Sequence, residues 1–64
     1  MQYKVKFHGY VADGSDTSHY YTDETIEAAN NFDANQKAYR VLRNLQEHES
    51  WMNWFISKVE QLPD

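Results

Sequence analysis

The stretch Tyr3-Lys4-Val5-Lys6-Phe7-His8-Gly9-Tyr10-Val11 alternates with a period of two, and a chain containing such a strand must bury one face of it. Tyr3, Val5, Phe7 and Val11 point one way, while Lys4, Lys6, His8 and Tyr10 point the other. Asp13-Gly14-Ser15-Asp16 follows with turn chemistry, Gly14 supplying a positive φ. The chain is expected to reverse there and return as a second strand over about Thr17 to Ala29. Setting Val5 beside Ile26, Tyr3 beside Ala28 and Val11 beside Tyr20 matches apolar with apolar. The other face then pairs Lys4 with Glu27, His8 with Asp23 and Tyr10 with Tyr21. Phe7 against Glu24 is the flaw in that register. A two-residue shift that pairs Phe7 with Ile26 keeps the facing and stays open.

The next stretch, Thr25 to Ala38, has the Ala, Glu, Gln and Lys content of a helix but not the phase of one. At about 100° per residue Ile26 and Ala29 would lie opposite Leu42. Asp33 reads instead as an N-cap, with Gln36 three residues later in a capping-box pattern. Ala34, Ala38, Val41, Leu42 and Leu45 then form one stripe, and Asp33/Lys37 and Arg43/Glu47 are spaced as i,i+4 pairs. The strand is expected to end near Asn30 and the helix to begin after Asp33, a short helical turn over Asp23–Asn30 being the competing assignment.

The final segment starts at Ser50, an N-cap type, and stops at Pro63. Trp51, Met52, Trp54, Phe55, Ile56, Val59 and Leu62 share one broad helical arc, whereas a strand template mixes both faces. Periodicity favours a second helix, and the Trp and β-branched content favours a strand. A break near His48–Ser50 separates this segment from the first helix. The expected architecture is a single α+β domain over residues 1–64, a two-stranded antiparallel hairpin followed by two helices (β-β-α-α). The alternative is β-β-α-β with a third strand at the C-terminus.

Chemistry is sparse. The 64 residues include no Cys, which removes disulfides and thiolate zinc sites as staples. His8, His19 and His48 show no metal-ligand spacing, no serine or threonine sits in a nucleophile elbow, and Gly9 and Gly14 make no phosphate loop. No cofactor, metal site or catalytic residue is expected, and the protein is expected not to be an enzyme. No apolar run is long enough to span a bilayer and no basic-then-apolar leader follows Met1, so a soluble, cytoplasmic protein without membrane contact is expected.

Charge and aromatic residues are what the surface has to offer. The net charge is −4, and Asp13, Asp16, Asp23, Glu24, Glu27 and Asp33 occupy a window without Lys or Arg. That balance opposes nonspecific nucleic-acid binding and suits steering towards a basic protein surface. Trp51 and Trp54 are the expected interface anchors, unless they complete the core. His8, Tyr10 and Tyr21 form an aromatic group on the outer sheet face, a platform for a nucleotide or a single strand. The hairpin's unpaired edges also suggest a homodimer with a four-stranded sheet.

The passage Thr25-Ile26-Glu27-Ala28-Ala29-Asn30-Asn31-Phe32-Asp33-Ala34-Asn35-Gln36-Lys37-Ala38, preceded by the K-V-x-F-x-G strand Lys4–Gly9, resembles small acidic phage-encoded inhibitor proteins of the anti-CRISPR type. It covers about the first two-thirds of the chain. The resemblance implies a non-enzymatic protein that acts in a host cytoplasm by occluding a larger protein, and it carries over no functional residue. The leading expectation is therefore a protein-binding module. A small-ligand or nucleic-acid binder, and a homodimeric structural protein with no further ligand, are the alternatives.

Overall fold

The computed structural model describes residues 1–63, built as β1 (Gln2–Asp13), β2 (Asp16–Glu27), α1 (Asn31–His48) and β3 (Asn53–Gln61). The sheet is antiparallel with order β2-β1-β3, so β1 is central. The architecture is β-β-α-β, and the second helix expected over residues 51–62 is a strand. Its helical look has a specific cause. Phe7 pairs with Ile56 but Lys6 pairs with Lys58, so Ser57 is an extra residue, a β-bulge that shifts the facing by one. Trp54, Ile56 and Val59 all face the core, and the last two are three apart, the spacing of neighbours on a helix.

Gly14 has a φ of 65° and Ser15 does not share that sign, the arrangement of a two-residue II′ turn closed by Asp13 and Asp16. Turn length thereby sets the register. Val5 faces Glu24, Tyr3 faces Ile26, Phe7 faces Thr22 and His8 faces Tyr21, two residues away from the register expected and in the opposite sense to the alternative shift. Because the displacement is an even number, every side chain keeps its expected face.

The helix starts earlier than expected. Asn30 is the N-cap, its side-chain oxygen accepting from the Asp33 N–H at 2.9 Å, and Asp33 reaches back to accept from the Ala29 N–H at 3.0 Å. Asp33 is thus the third helical residue of a reciprocal capping arrangement, not the cap itself. Lys37 closes on it at 3.2 Å, as the i,i+4 spacing anticipates. The backbone N–H of Ala29 and then Lys37 hold the Asp33 carboxyl below its usual range.

Tyr3, Val5, Phe7, Ala28, Ala34, Ala38, Met52 and Trp54 are buried. Small helix residues meet large sheet residues: Ala34 packs with Tyr3, and Ala38 with Val5, Phe7 and Trp54. Trp54 pairs with Gly9, and its indole lies so close that a Cβ there would sit 2.8 Å from three ring atoms. Gln46 fastens the start of β3 to the helix, donating to the Met52 carbonyl at 2.6 Å and accepting from the Trp54 N–H at 3.0 Å.

Two outcomes are expected. Gly9→Ala should cost roughly 1–3 kcal/mol through overpacking, each kcal/mol lowering Tm by about 4–8 °C in a domain of this size. In a denaturation cycle with Trp54→Leu the double variant should lose less than the sum of the singles, and additivity would show that the two residues do not compete for space. For Asp33, a depressed carboxyl adds stability that is full above about pH 4 and is lost as pH falls through the folded-state value. Asp33→Asn should therefore flatten the Tm–pH curve on the acid side, and an unchanged curve would remove the capping carboxylate from the stability of the fold.

Candidate functional site

The helix covers β1 and β3 and reaches β2 only near Glu24–Glu27, and this offset leaves the rest of β2 exposed. Along β2 every residue is exposed except the half-buried Ile26. Asp16, Ser18, Tyr20, Thr22 and Glu24 share the inner face with Ile26, beside the helix. The hairpin also overshoots the helix: twelve strand residues span about 40 Å, eighteen helical ones about 27 Å, and the molecule is 44 Å long. Tyr20 stays 43% exposed and meets Trp51 edge-on, with ring centroids 5.7 Å apart. Trp51 is itself 57% exposed, and its indole N–H donates to Glu49 at 2.7 Å. Between β2 and the helix runs a shallow groove of about 320 Å³, lined by Glu24, Val41, Asn44, Leu45 and His48.

The sequence-selected acids divide between the two faces. Asp23 and Glu27 lie on the outer face, where Asp23 pairs with Lys4 at 3.5 Å and Glu27 with the N-terminal ammonium at 2.7 Å. Asp13, Asp16 and Glu24 lie on the inner face, and none of the three forms an ion pair among the described residues. The free acids, Tyr20 and Trp51 are therefore brought to one side of one hairpin. Trp54 is not with them. It is 7% exposed and belongs to the core, because its place opposite Gly9 puts it under the helix. As an anchor for a partner it is withdrawn. The exposed aromatic beside Trp51 is instead Tyr20, a residue that sequence reasoning passed over although its even number on β2 places it on the inner face.

The outer face does gather His8, Tyr10 and Tyr21, and adds His19 and Phe55. His8 stacks on Tyr21 at 4.8 Å and lies edge to edge with His19, ring centroids 5.0 Å apart, and Tyr10 stacks on Phe55 at 5.7 Å. His8 Nε2 and His19 Nδ1 share a hydrogen bond of 2.8 Å across the hairpin. His8 does not face Asp23, nor Tyr10 Tyr21, because the two-residue turn moves both partners. Among the described residues no three His, Asp or Glu side chains gather as metal ligands, and no helix is long and apolar enough to cross a membrane.

The two indoles should report these positions separately. Trp51→Phe leaves the enclosed Trp54, whose emission should be blue-shifted and shielded from acrylamide. Trp54→Phe leaves the exposed Trp51, which should be readily quenched. Equal quenching in the two variants would contradict the division between core and surface.

The chain matches no known family, no curated protein and no solved structure, so its role rests on this geometry.

Proposed function

We propose that this protein is a non-enzymatic binding module that takes a basic segment of a larger protein along the inner strip of β2. The single observation behind this is the convergence of three unpaired carboxylates, Asp13, Asp16 and Glu24, with the exposed Tyr20–Trp51 pair on one uncovered sheet face. The carboxylates accept from Lys and Arg, aromatic faces attract the same cations, and Val41 and Leu45 in the adjoining groove suit the aliphatic stems. Asp23 and Glu27 contribute to the long-range field rather than to contact, since each already has a cation beside it. Action by occlusion, in the manner of a phage inhibitor in a host cytoplasm, rests on the sequence resemblance alone.

A nucleotide or single-stranded nucleic acid on the outer face has less support. His8 stacks on Tyr21 and is held edge to edge by its hydrogen bond to His19, and Tyr10 stacks on Phe55, so the rings serve one another as partners. Stacking platforms for bases need free ring faces.

The test uses an immobilised extended peptide rich in Arg and Lys. Asp16→Lys/Glu24→Lys should lower the association rate at least about tenfold at low salt, with the difference shrinking as salt rises. Trp51→Ala should raise Kd about tenfold or more, mainly through faster dissociation. Tyr10→Ala should change neither. Binding that survives the charge reversals but is lost in Tyr10→Ala would move the site to the outer face and overturn the proposal.

A further inference from the structure

The sheet has two free edges, and they are built differently. β3 is nine residues long, is bulged at Ser57, carries Lys58, and is followed by Pro63. Those are the features that keep an edge strand from pairing. β2 is twelve residues long, pairs with β1 without a bulge, and contains neither Lys nor Pro. Its protective features are two inward-facing acids, Asp16 at the turn and Glu24. The helix stands over β1 and β3 and meets the β2 edge only at its far end, where Lys37 donates to the Glu27 carbonyl at 2.8 Å, so the edge from Thr17 to Thr25 is open from the inner side.

We propose that β2 pairs with β2 of a second copy, antiparallel about a two-fold axis at Tyr21, to form a continuous six-stranded sheet. The four-stranded sheet expected from the hairpin alone is unavailable, because β3 occupies the second edge of β1. Backbone geometry selects which groups meet. Asp13 and Asp16 close a two-residue turn as a hydrogen-bonded pair, and such pairs alternate along an antiparallel ladder. Even-numbered residues of β2 therefore bond to β1, while Thr17, His19, Tyr21, Asp23 and Thr25 turn their N–H and C=O groups to the open edge. A two-fold axis normal to the sheet keeps the faces aligned, so odd residues meet odd residues.

Charge then selects among the registers that remain. With Tyr21 opposite its own copy, His19 faces Asp23 of the second copy twice over, and Thr17 faces Thr25. On the inner face Tyr20 meets Thr22 and Glu24 meets Ser18, and no acid directly faces an acid. An axis at Tyr20 would set Asp16 against Glu24, and an axis at Thr22 would set His19 against Thr25 and so lose both His19–Asp23 pairings. In the favoured register Glu24 and Asp16 of the other copy are diagonal neighbours, but both are exposed and screened by salt.

Self-pairing also repairs a weakness of the lone protomer, in which β2 lends only Ile26 to the core. It draws on backbone groups of the edge and leaves the side chains of both faces free. It therefore holds whether or not a basic segment occupies the inner strip.

The test combines mass, cross-linking and a backbone block. By sedimentation equilibrium at about 100 µM, well above a micromolar Kd, the protein should have twice its chain mass. The chain has no Cys, so Tyr21→Cys gives a single thiol that a short bismaleimide should couple to its own copy. Lys58→Cys on β3 should couple at least tenfold more slowly. Thr25→Pro removes only an outward N–H and should yield a monomer with an unchanged circular dichroism spectrum. A monomeric wild type, a dimer that Cys at position 21 does not cross-link faster than Cys at position 58, or a folded Thr25→Pro variant that stays dimeric would each overturn the proposal. If Thr25→Pro does not fold, mass and cross-linking decide alone.

Discussion

The contact between the Trp54 indole and the bare backbone of Gly9 organises the rest of the molecule. An indole carries more apolar area than any other side chain here, and it can lie flat on a neighbouring strand only where that strand has no Cβ. The contact ties β3 to β1 at the end where the helix finishes, and Gln46 fastens the same point to the helix through two hydrogen bonds. Once the bulky floor lies on β1 and β3, with Tyr3, Phe7 and Trp54 as its high points, the helix settles there with Ala34 and Ala38 as its closest residues. One helix is too narrow to cover three strands. The uncovered strand is the one on the far side of β1 from Trp54.

The exposed inner face of β2 is thus a consequence of core packing, and it converts a scattered set of acids into a sided one. A count of charges along residues 13–33 cannot distinguish Glu24, free beside the groove, from Glu27, joined to the N-terminal ammonium. The sheet alternation makes that distinction. It sends Asp13, Asp16 and Glu24 to the side that holds Tyr20 and Trp51, and sends Asp23 and Glu27 to the side where Lys4 and the amino terminus wait.

Local patterns were legible in the sequence, and relations between distant segments were not. The alternation of Tyr3–Val11 announces β1 and its buried face, the Gly14 turn announces reversal, and the stripe from Ala34 to Leu45 announces the helix. The register needed the turn length, which outranked side-chain matching: Val5 accepts Glu24 opposite it because a two-residue loop leaves no choice. The cap lay three residues before Asp33 because Asn30 accepts from the Asp33 N–H while the Asp33 carboxylate accepts from the Ala29 N–H, and either residue alone looks like a cap. β3 was hidden by Ser57, since one extra residue in a strand breaks the alternation and puts the half-buried Ile56 and Val59 an i,i+3 step apart on the core side. Tyr20 was overlooked for a related reason. Its exposure depends on where the helix lies, which only the Gly9–Trp54 contact decides.

The outer face supplies what the inner face of β2 lacks. A strand normally gains about 1.5–3 kcal/mol from each large apolar side chain it buries, and β2 has only the half-buried Ile26 to offer. It is joined to β1 by ladder hydrogen bonds, by the His8–Tyr21 stack and by the His8–His19 hydrogen bond, contacts of about 0.2–1 kcal/mol each for cross-strand pairs. Several such contacts together offset one missing core residue, but not a whole missing layer. The outer aromatic rank is therefore a fastening that keeps β2 in the sheet while its inner side chains remain uncommitted. A surface meant for stacking bases would need those rings free, whereas a surface meant to present Tyr20, Glu24 and Asp16 needs them engaged with one another. The rings are engaged with one another, and the uncommitted side chains of β2 are those on the opposite face from the more conspicuous aromatic cluster.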